Sequence, residues 1–326
     1  MSQIEGGAAG RDPNESTLGP IKLVLPATSA NLGPGFDAVG LAIGLSLTIE
    51  ASIQAVGAPG LTGPLTIEAT GRNADRCSRT SNNMIFETYR DVLDRAGQIV
   101  LPLHLRIHNE IPLGMGCGSS AAALLAGVML ANHFGGLRWD LRTCMEEACR
   151  REGHPDNVAA CALGYMTVSA VSGGSVVTAT CGESLPWKLL LALPSASLAT
   201  EKARSLLPAA YGRADVVNNI QRTGLLVAAF ALGRGELLRV AMQDRLHQPY
   251  RMEACPLLPR LLPLAGESGI LGAALSGAGP AVLLITNPAA DINDISARIR
   301  DRAGDPSLEI IETRVSGGAR WFQDSL

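Results

Sequence analysis

The feature that most constrains this fold is a glycine-rich loop that runs directly into an alanine-rich helix. Residues 112–134 read PLGMGCGSSAAALLAGVMLANHF, with Gly114, Gly116 and Gly118 ahead of two serines. Glycine lets the backbone approach an anion, and a helix N-terminus carries free N–H groups and partial positive charge. The segment therefore indicates either a phosphate-type anion site or a glycine-rich turn with an ordinary serine N-cap.

The basic residues exclude several other designs. Lysine occurs only at positions 22, 188 and 202, so arginine supplies almost all of the 27 basic side chains. None of these lysines completes a Walker-type loop, and the full dinucleotide-binding glycine pattern is also missing. The net charge of −3 gives no general attraction to a polyanion, so no nucleic-acid partner is expected.

Cysteine usage and hydropathy predict a cytoplasmic protein with no membrane partner. The seven cysteines form an odd set without a C-x-x-C pair, which is typical of a reducing compartment. Residues 1–19 are polar and are expected to form a flexible tail. The longest strongly apolar run, residues 121–131, is far shorter than the ~20 residues that span a bilayer.

The length of 326 residues predicts two domains, and the sequence contains both strand-like and helix-like segments. The flexible run Ser172-Gly173-Gly174 is the expected junction, which gives a first domain at 20–172 and a second at 173–326. Hydrophobic periodicity predicts strands at 21–26, 39–53, 65–69, 101–107, 164–171, 188–193, 271–275 and 280–285, and helices at 82–96, 121–134, 140–151, 214–232 and 237–246.

Three further clusters combine turn residues with side chains that could do chemistry. The loop at 29–37 contains Asn31 and Asp37, the turn at 152–157 reads EGHPDN, and residues 276–279 read SGAG between apolar strands. Taken one at a time, each cluster fits an ordinary turn as well as a ligand site.

Together and in this order, the motifs resemble the GHMP small-molecule kinases. Residues 26–42 (PATSANLGPGFDAVGLA) are similar to the first family motif, 112–122 (PLGMGCGSSAA) to its ATP loop, and 271–283 (LGAALSGAGPAVL) to its third motif. The resemblance covers the chain from about Ile21 to its end. It implies a two-domain α+β fold with a ribosomal-S5-like N-terminal domain and a ferredoxin-like C-terminal domain, and ATP as a substrate.

A second set of motifs resembles the homoserine kinase branch of that family. These are EGHPDNVA at 152–159, TEKAR at 200–204 and DRLHQPYR at 244–251. The resemblance implies transfer of phosphate from Mg·ATP to the hydroxyl of L-homoserine, a step of threonine biosynthesis, by a homodimer. A GHMP kinase for another alcohol, such as mevalonate or a sugar, and a catalytically silent binding protein of the same fold are the alternatives.

The chemistry of an amino-acid substrate agrees with this resemblance. Arginine can grip a carboxylate with two parallel hydrogen bonds, which suits Arg204 and Arg251. Asp37 can pair with the ammonium group and Asn31 can orient it, while His154 and Asn157 would lie near the hydroxyl. The predicted substrate residues are Asn31, Asp37, His154, Asn157, Arg204 and Arg251.

The resemblance also assigns the nucleotide and metal sites. Ser120 and Glu152 are expected to hold Mg²⁺, with Glu146 as the alternative carboxylate. The adenine is expected beside Asn83, Met84 and Ile85. The predicted ATP-binding residues are Asn83, Pro112, Leu113, Gly114, Met115, Gly116, Cys117, Gly118, Ser119, Ser120, Ala121 and Ala122.

Phosphoryl transfer depends mainly on positioning and charge neutralisation. Without a loop lysine, the γ-phosphate charge must be met by Mg²⁺, the helix N-terminus and arginine. The residues expected nearest the reaction are His154, Asp156, Asn157 and Arg204. Asn157 cannot accept a proton, so the substrate hydroxyl is expected to attack directly without a strong protein base.

Overall fold

The computed structural model describes residues 19–54, 63–198 and 200–323. The predicted tail at 1–19 therefore lies outside the described residues except for Gly19. No helix among the described residues is long and apolar enough to cross a membrane.

Strands and helices alternate along the described chain. The strands are β1 (Ile21–Ala30), β2 (Val39–Ile53), β3 (Leu65–Gly71), β4 (Leu103–Asn109), β5 (Met166–Ser172), β6 (Ser175–Cys181), β7 (Lys188–Leu193), β8 (Ile270–Leu275), β9 (Val282–Thr286), β10 (Glu309–Arg314) and β11 (Arg320–Gln323). The helices are α1 (Ala74–Cys77), α2 (Met84–Arg95), α3 (Ser119–Phe134), α4 (Leu141–Glu152), α5 (Asp156–Leu163), α6 (Thr200–Ser205), α7 (Arg213–Leu232), α8 (Leu238–Ala241), α9 (Gln248–Arg251), α10 (Leu257–Leu261) and α11 (Ile292–Ala303), with 3₁₀ turns at Gly235–Leu237 and Leu262–Leu264.

The first sheet has seven strands and positions the glycine-rich loop. Its main path is β11-β1-β2-β4-β3, and β5 pairs with β2 and carries β6. Helix α3 packs against α2, α4, α5 and β1. Because small and apolar side chains surround α3, eleven of its sixteen residues are buried, as expected for a helix enclosed on most sides.

The second sheet has four antiparallel strands in the order β10-β7-β9-β8. Numbered within this domain, that order is 4-1-3-2, with helices between the first and second strands and again between the third and fourth, which is the ferredoxin-like arrangement. Every residue of β9 is buried, and nearly all of β7 is as well. The predicted two-domain α+β architecture is confirmed.

The change of sheet comes later than the predicted junction. Residues Gly173 and Gly174, with φ of 58° and 85°, form the turn of a hairpin in which β6 pairs with β5 in the first sheet. The boundary predicted between residues 172 and 173 therefore falls inside that hairpin, and the chain enters the second sheet between Cys181 and Lys188. Strand β11 returns to pair with β1, so the C-terminal strand also belongs to the first sheet.

One predicted helix is shorter than expected. The apolar pattern at 237–246 predicts a single helix, but α8 ends at Ala241. The carboxylate of Asp244 instead accepts hydrogen bonds from the backbone N–H groups of Leu246, His247 and Gln248. These N–H groups are therefore bonded to a side chain rather than to a preceding helical turn, and the chain restarts as the short helix α9.

Candidate functional site

The glycine-rich loop ends at Gly118, which is the N-cap of α3 and has a left-handed φ of 68°. Neither Ser119 nor Ser120 is the N-cap, because both already lie in the first turn of the helix. No side chain caps this helix. A Cβ at position 118 would overlap the hydroxyl of Thr28, so only glycine fits there. The free N–H groups of the first turn consequently face the site without a protein acceptor at the cap.

The loop rests directly on the SGAG turn from the second half of the chain. Ser276 Oγ donates to the carbonyl oxygen of Gly116 at 2.8 Å, and the N–H of Ala281 donates to Met115 O at 3.3 Å. A Cβ on Gly116 would overlap the backbone oxygen of Ser276. The turn also donates from Gly277 N to Ala30 O at 3.1 Å, at the end of β1. Three segments that are distant in the sequence therefore meet here: the glycine-rich loop, the SGAG turn and the end of β1.

Two adjoining cavities share Gly114, Ser119 and Ser120 as a common wall. The inner cavity is lined further by Asn31, Phe36, Asp37, Gly116, Cys117, Gly118, Glu152, His154, Asp156, Asn157, Leu198, Arg204, Arg251, Gly277 and Ala278. The outer cleft is lined further by Leu47, Arg76, Cys77, Arg79, Ser81, Asn82, Asn83, Met84, Ile85, Ile107, Asn109, Ile111, Leu113 and Ala123.

The outer cleft contains the predicted adenine residues. Asn83 is the N-cap of α2, and its side-chain oxygen accepts from Phe86 N at 3.2 Å. Met84 is 44% exposed over the cleft, whereas Ile85 is buried. Of the other predicted ATP-binding residues, all but four line one of the two cavities. The exceptions are Pro112, Met115, Ala121 and Ala122, of which Ala121 and Ala122 are fully buried in the hydrophobic core.

The structure distinguishes the two candidate carboxylates for a metal. Ser120 Oγ donates to Glu152 Oε2 at 2.9 Å, at the mouth of the inner cavity. Glu146 lies outside both cavities and pairs with Arg142 at 3.5 Å. A hydroxyl and a carboxylate beside a helix N-terminus form an oxygen donor set of the kind Mg²⁺ prefers. Of these two acids, only Glu152 is therefore positioned to act with Ser120.

The EGHPDN turn is organised by Asp156, which is buried. Its Oδ1 atom accepts from His154 Nδ1 at 2.7 Å, from Asn157 N at 2.7 Å and from Asn157 Nδ2 at 3.2 Å. On its other side, Asn157 Oδ1 accepts from the hydroxyl of Thr28 at 2.7 Å. The Asn157 amide is thus fixed between Asp156 and Thr28.

Opposing effects act on the pKa of His154. Burial by itself would lower its pKa, but the hydrogen bond from Nδ1 to Asp156 and the negative charge of that carboxylate outweigh burial, so the pKa of His154 is raised. Because Nδ1–H donates to Asp156, Nε2 is an acceptor in the neutral ring and becomes a donor only when the ring is protonated, the form that the raised pKa favours.

The loop before β2 holds Asn31 and Asp37 in left-handed conformations, with φ of 69° and 55°. The Asn31 side chain accepts from Asp37 N at 3.0 Å and donates to Gly277 O at 3.0 Å. Asn31 therefore ties this loop to the SGAG turn. Asparagine and aspartate tolerate the left-handed region better than most residues, which explains why this sequence can form the turn.

Asp37 is paired with Arg204 from α6. Two parallel hydrogen bonds join Arg204 to the carboxylate, at 2.6 and 3.1 Å. The Arg204 side chain is 38% exposed, and its pKa is raised, chiefly by the hydrogen bond to Asp37. The pair presents a negative and a positive group side by side at the wall of the inner cavity.

Arg251 has a very different environment. It is 1% exposed, and its hydrogen-bond partners are Ala203 O, Gly277 O and His247 Nδ1, none of which carries a negative charge. Burial lowers the pKa of Arg251, and the nearby charge of Arg204 adds to this. Since Arg251 has no anionic partner among the described residues and an unpaired buried charge is costly, its guanidinium favours an anionic ligand.

A second set of metal-ligand types also lies in the inner cavity. One ligand atom each from Asp37, His154 and Asp156 lies within 4.8 Å of the others. Asp37 is already paired with a guanidinium, however, and His154 Nδ1 already bonds to Asp156. These contacts already use ligand atoms that a metal ion would need, and the positive charge of Arg204 further opposes a divalent cation here.

Sequence reasoning missed three residues that the fold brings to the site. Thr28 holds Asn157, Phe36 lies 5.6 Å from the guanidinium carbons of both Arg204 and Arg251, and His247 bonds to Arg251. All three lie inside the quoted motifs, so motif membership was the available signal. Thr28 and Phe36 contact residues more than 120 positions away in the sequence. His247 contacts Arg251, one turn of a short helix away.

Comparison with protein families identifies both halves of the chain. The model described as "GHMP kinases N terminal domain" matches residues 83–165, and the model "GHMP kinases C terminal" matches residues 226–305.

Similar curated proteins carry one name. The chain is 45% identical over 266 residues to a homoserine kinase of Solibacter usitatus, covering 80% of this chain and 84% of that protein. It is 40% identical over 264 residues to a homoserine kinase of Deinococcus radiodurans, covering 81% and 83% respectively.

Solved structures share the fold. A homoserine kinase from Cytophaga hutchinsonii has a TM-score of 0.78 at 22% identity, covering 97% of this chain and all of that one. A mevalonate kinase from L. major in complex with R-mevalonate has a TM-score of 0.70 at 17% identity, covering 91% and 96%.

Proposed function

Since the chain belongs to the homoserine kinase family of the GHMP kinases, we propose that its two adjoining cavities bind ATP and L-homoserine for phosphoryl transfer across the shared wall. The activity is ATP-dependent phosphorylation of homoserine to O-phosphohomoserine. The observation that carries the proposal is the inner cavity itself, because it combines a buried unpaired guanidinium with an Asp–Arg pair next to a helix N-terminus.

The inner cavity complements a zwitterion. The substrate carboxylate binds to Arg251 and to the edge of Arg204, and the substrate ammonium group binds to Asp37. Asn31 fixes the loop that carries Asp37 through its bond to Gly277. Mevalonate and sugars lack an ammonium group, so they would leave the Asp37 carboxylate without a cation on that side.

The outer cleft binds the nucleotide. The adenine lies over Met84 and Ile85 beside the N-cap Asn83, and the phosphates lie along the loop from Gly114 to Ser120. Ser120 and Glu152 hold Mg²⁺, which fits because their oxygen atoms are 2.9 Å apart at the junction of the cavities. The ion, when bound, neutralises phosphate charge.

In the transfer step the substrate hydroxyl oxygen bonds to the γ-phosphorus as the bond from that phosphorus to the β,γ-bridging oxygen breaks, and ADP leaves. The hydroxyl proton passes to a phosphate oxygen. Asp156 acts indirectly here, since its Oδ1 already holds His154 and Asn157. In its protonated form His154 donates from Nε2 toward the reacting oxygens, and Asn157 orients the hydroxyl.

A coupled ADP-release assay tests this function. L-homoserine should give turnover with Mg·ATP, and mevalonate, galactose and L-serine should give at least tenfold lower kcat/KM. Turnover with mevalonate or galactose in place of homoserine would identify a kinase for another alcohol. Absence of turnover with all four would indicate a silent binding protein. We further propose that the protein is cytoplasmic and forms a homodimer. Analytical ultracentrifugation would measure its oligomeric state.

A further inference from the structure

The hydrogen bonds of Arg251 leave one edge of its guanidinium available. An arginine has five N–H donors. Nε donates to Ala203 O at 3.2 Å, and Nη1 donates to His247 Nδ1 at 3.0 Å and to Gly277 O at 3.3 Å. These bonds account for the three N–H groups on those atoms, and Nη2 has no acceptor among the described residues. The Nη2 edge is consequently the part of Arg251 that remains for a carboxylate.

The partners of His247 determine its protonation. Nε2 lies 2.7 Å from Gly33 O, and a carbonyl oxygen only accepts, so Nε2 carries the hydrogen. Nδ1 lies 3.0 Å from a guanidinium nitrogen, which only donates, so Nδ1 is the unprotonated acceptor. His247 is therefore the neutral Nε2–H tautomer, and it links the loop at Gly33 in the first half of the chain to Arg251 in the second.

The surroundings of His247 hold it in this orientation. Its side chain is fully buried and stacks on Phe36, with ring centroids 5.4 Å apart. Asp244 accepts from the backbone N–H of His247 and of Gln248, and its Oδ2 lies 3.6 Å from His247 Nε2. Burial lowers the pKa of His247, and the positive charge of Arg251 acts in the same direction. The negative charges of Asp244 and Asp37 oppose this shift. The acceptor at Nδ1 thus persists at neutral pH.

We propose that His247 is the positioning residue for Arg251: its Nδ1 atom holds Nη1 and so directs the Nη2 edge toward the substrate carboxylate. This rests on the proposed function. His247 does not touch the substrate, and its effect on the reaction passes through Arg251. Loss of the Nδ1 acceptor lets the guanidinium rotate away, which weakens binding of homoserine without changing the nucleotide cleft.

Two substitutions test the roles of the two nitrogens of His247 separately. In H247N the amide oxygen can occupy the position of Nδ1 and accept from Arg251, while the bond to Gly33 is lost. In H247Q the amide NH₂ can reach the position of Nε2 and donate to Gly33 O, while the acceptor for Arg251 is lost. R245Q is the control, because Arg245 lies on the same segment, is exposed and pairs with Asp215 away from the site.

The readouts are KM for homoserine and for ATP, together with homoserine affinity by calorimetry. H247Q should raise KM for homoserine by about 30-fold and leave KM for ATP within threefold, whereas H247N and R245Q should keep both within about threefold. Equal losses in H247N and H247Q, or a homoserine KM unchanged in H247Q, would overturn the proposal. If H247Q is not recovered as folded protein, H247N decides by itself, and a tenfold rise in its homoserine KM counts against the positioning role. Wild-type turnover with homoserine is measured first, so failure of the proposed function is seen separately.

Discussion

The nucleotide side and the amino-acid side of the site are built in opposite ways. The phosphate part of the nucleotide side comes from one continuous stretch, the loop and first turn of α3, and presents backbone N–H groups whose directions follow from helix geometry. The amino-acid side is assembled from Asp37, His154, Arg204 and Arg251, which come from four separate segments. The loop depends on glycines, which have no side chains, whereas the amino-acid side is made of side chains.

The two arginines make the same contrast within the amino-acid side. Arg204 is 38% exposed and has an acidic partner, whereas Arg251 is 1% exposed and has only neutral acceptors. Solvent and Asp37 already stabilise the charge of Arg204, so a substrate carboxylate gains less there. The carboxylate should bind mainly through Arg251.

The largest expected effect comes from adding a methyl group to the nucleotide side. In G116A the new Cβ overlaps the Ser276 carbonyl at a residue with φ of 75°, so the loop must move away from the SGAG turn. We expect kcat/KM to fall about 1,000-fold. G136A is the matched control, because Gly136 also has positive φ but has open space around its Cβ position. Comparable losses in the two variants would mean that backbone strain, not loop contact, governs activity.

The second effect removes the main carboxylate contact of the amino-acid side. R251A should raise KM for homoserine about 100-fold and KM for ATP by less than threefold, since Arg251 lies outside the outer cleft. R204A should raise KM for homoserine by only about tenfold, because its removal also frees Asp37 for the ammonium group. Steady-state kinetics with each substrate varied would check this, and equal rises for both substrates in R251A would contradict it.

The third effect distinguishes Glu152, at the boundary of the two sides, from Glu146, which lies outside both cavities. E152Q should raise the Mg²⁺ concentration needed for half-maximal rate about tenfold, because it removes the charged partner of Ser120. E146Q should leave it within twofold, because Glu146 faces Arg142. Magnesium titrations of the rate at saturating ATP would decide, and the reverse order would place the metal at Glu146, almost two helical turns earlier in α4.

The fourth effect tests transfer without a protein base. D156N retains the shape of Asp156 and an oxygen for Asn157 N, so kcat should fall only about fivefold. General-base catalysis is typically worth about 10² to 10⁴. A loss in that range, with unchanged KM values and thermal stability, would show that Asp156 takes the proton.

The smallest effect concerns pH and stability. The pKa of His154 is raised in the folded protein, so its protonated form stabilises the fold below the unfolded pKa of about 6.5, and that contribution is lost as pH rises through the folded pKa. The Tm difference between wild type and H154Q should therefore be about 2 °C larger at pH 5.5 than at pH 8.5. Differential scanning fluorimetry would measure it, and a difference that grows with pH would reverse the assigned direction.

The nucleotide side was largely predictable because its signal is local. Glycines at alternate positions before an apolar helix predict a helix N-terminus directly behind the loop, and α3 begins there, right after Gly118. The predicted helix at 237–246 was wrong because its apolar pattern continues past Ala241, while the Asp244 carboxylate competes for the next N–H groups. Periodicity carries no information about such a side-chain bond.

The sequence by itself indicated the family and its α+β fold through the motifs, and the glycine-rich loop ahead of a helix through hydrophobic period and glycine placement, which act over a few residues. Tertiary structure decided which arginine is buried without an anionic partner, which glutamate meets Ser120, and which nitrogen of His247 carries its proton. Each of these depends on the direction of a side chain relative to groups distant in the chain. Burial and hydrogen-bond geometry arise only when the two sheets pack together.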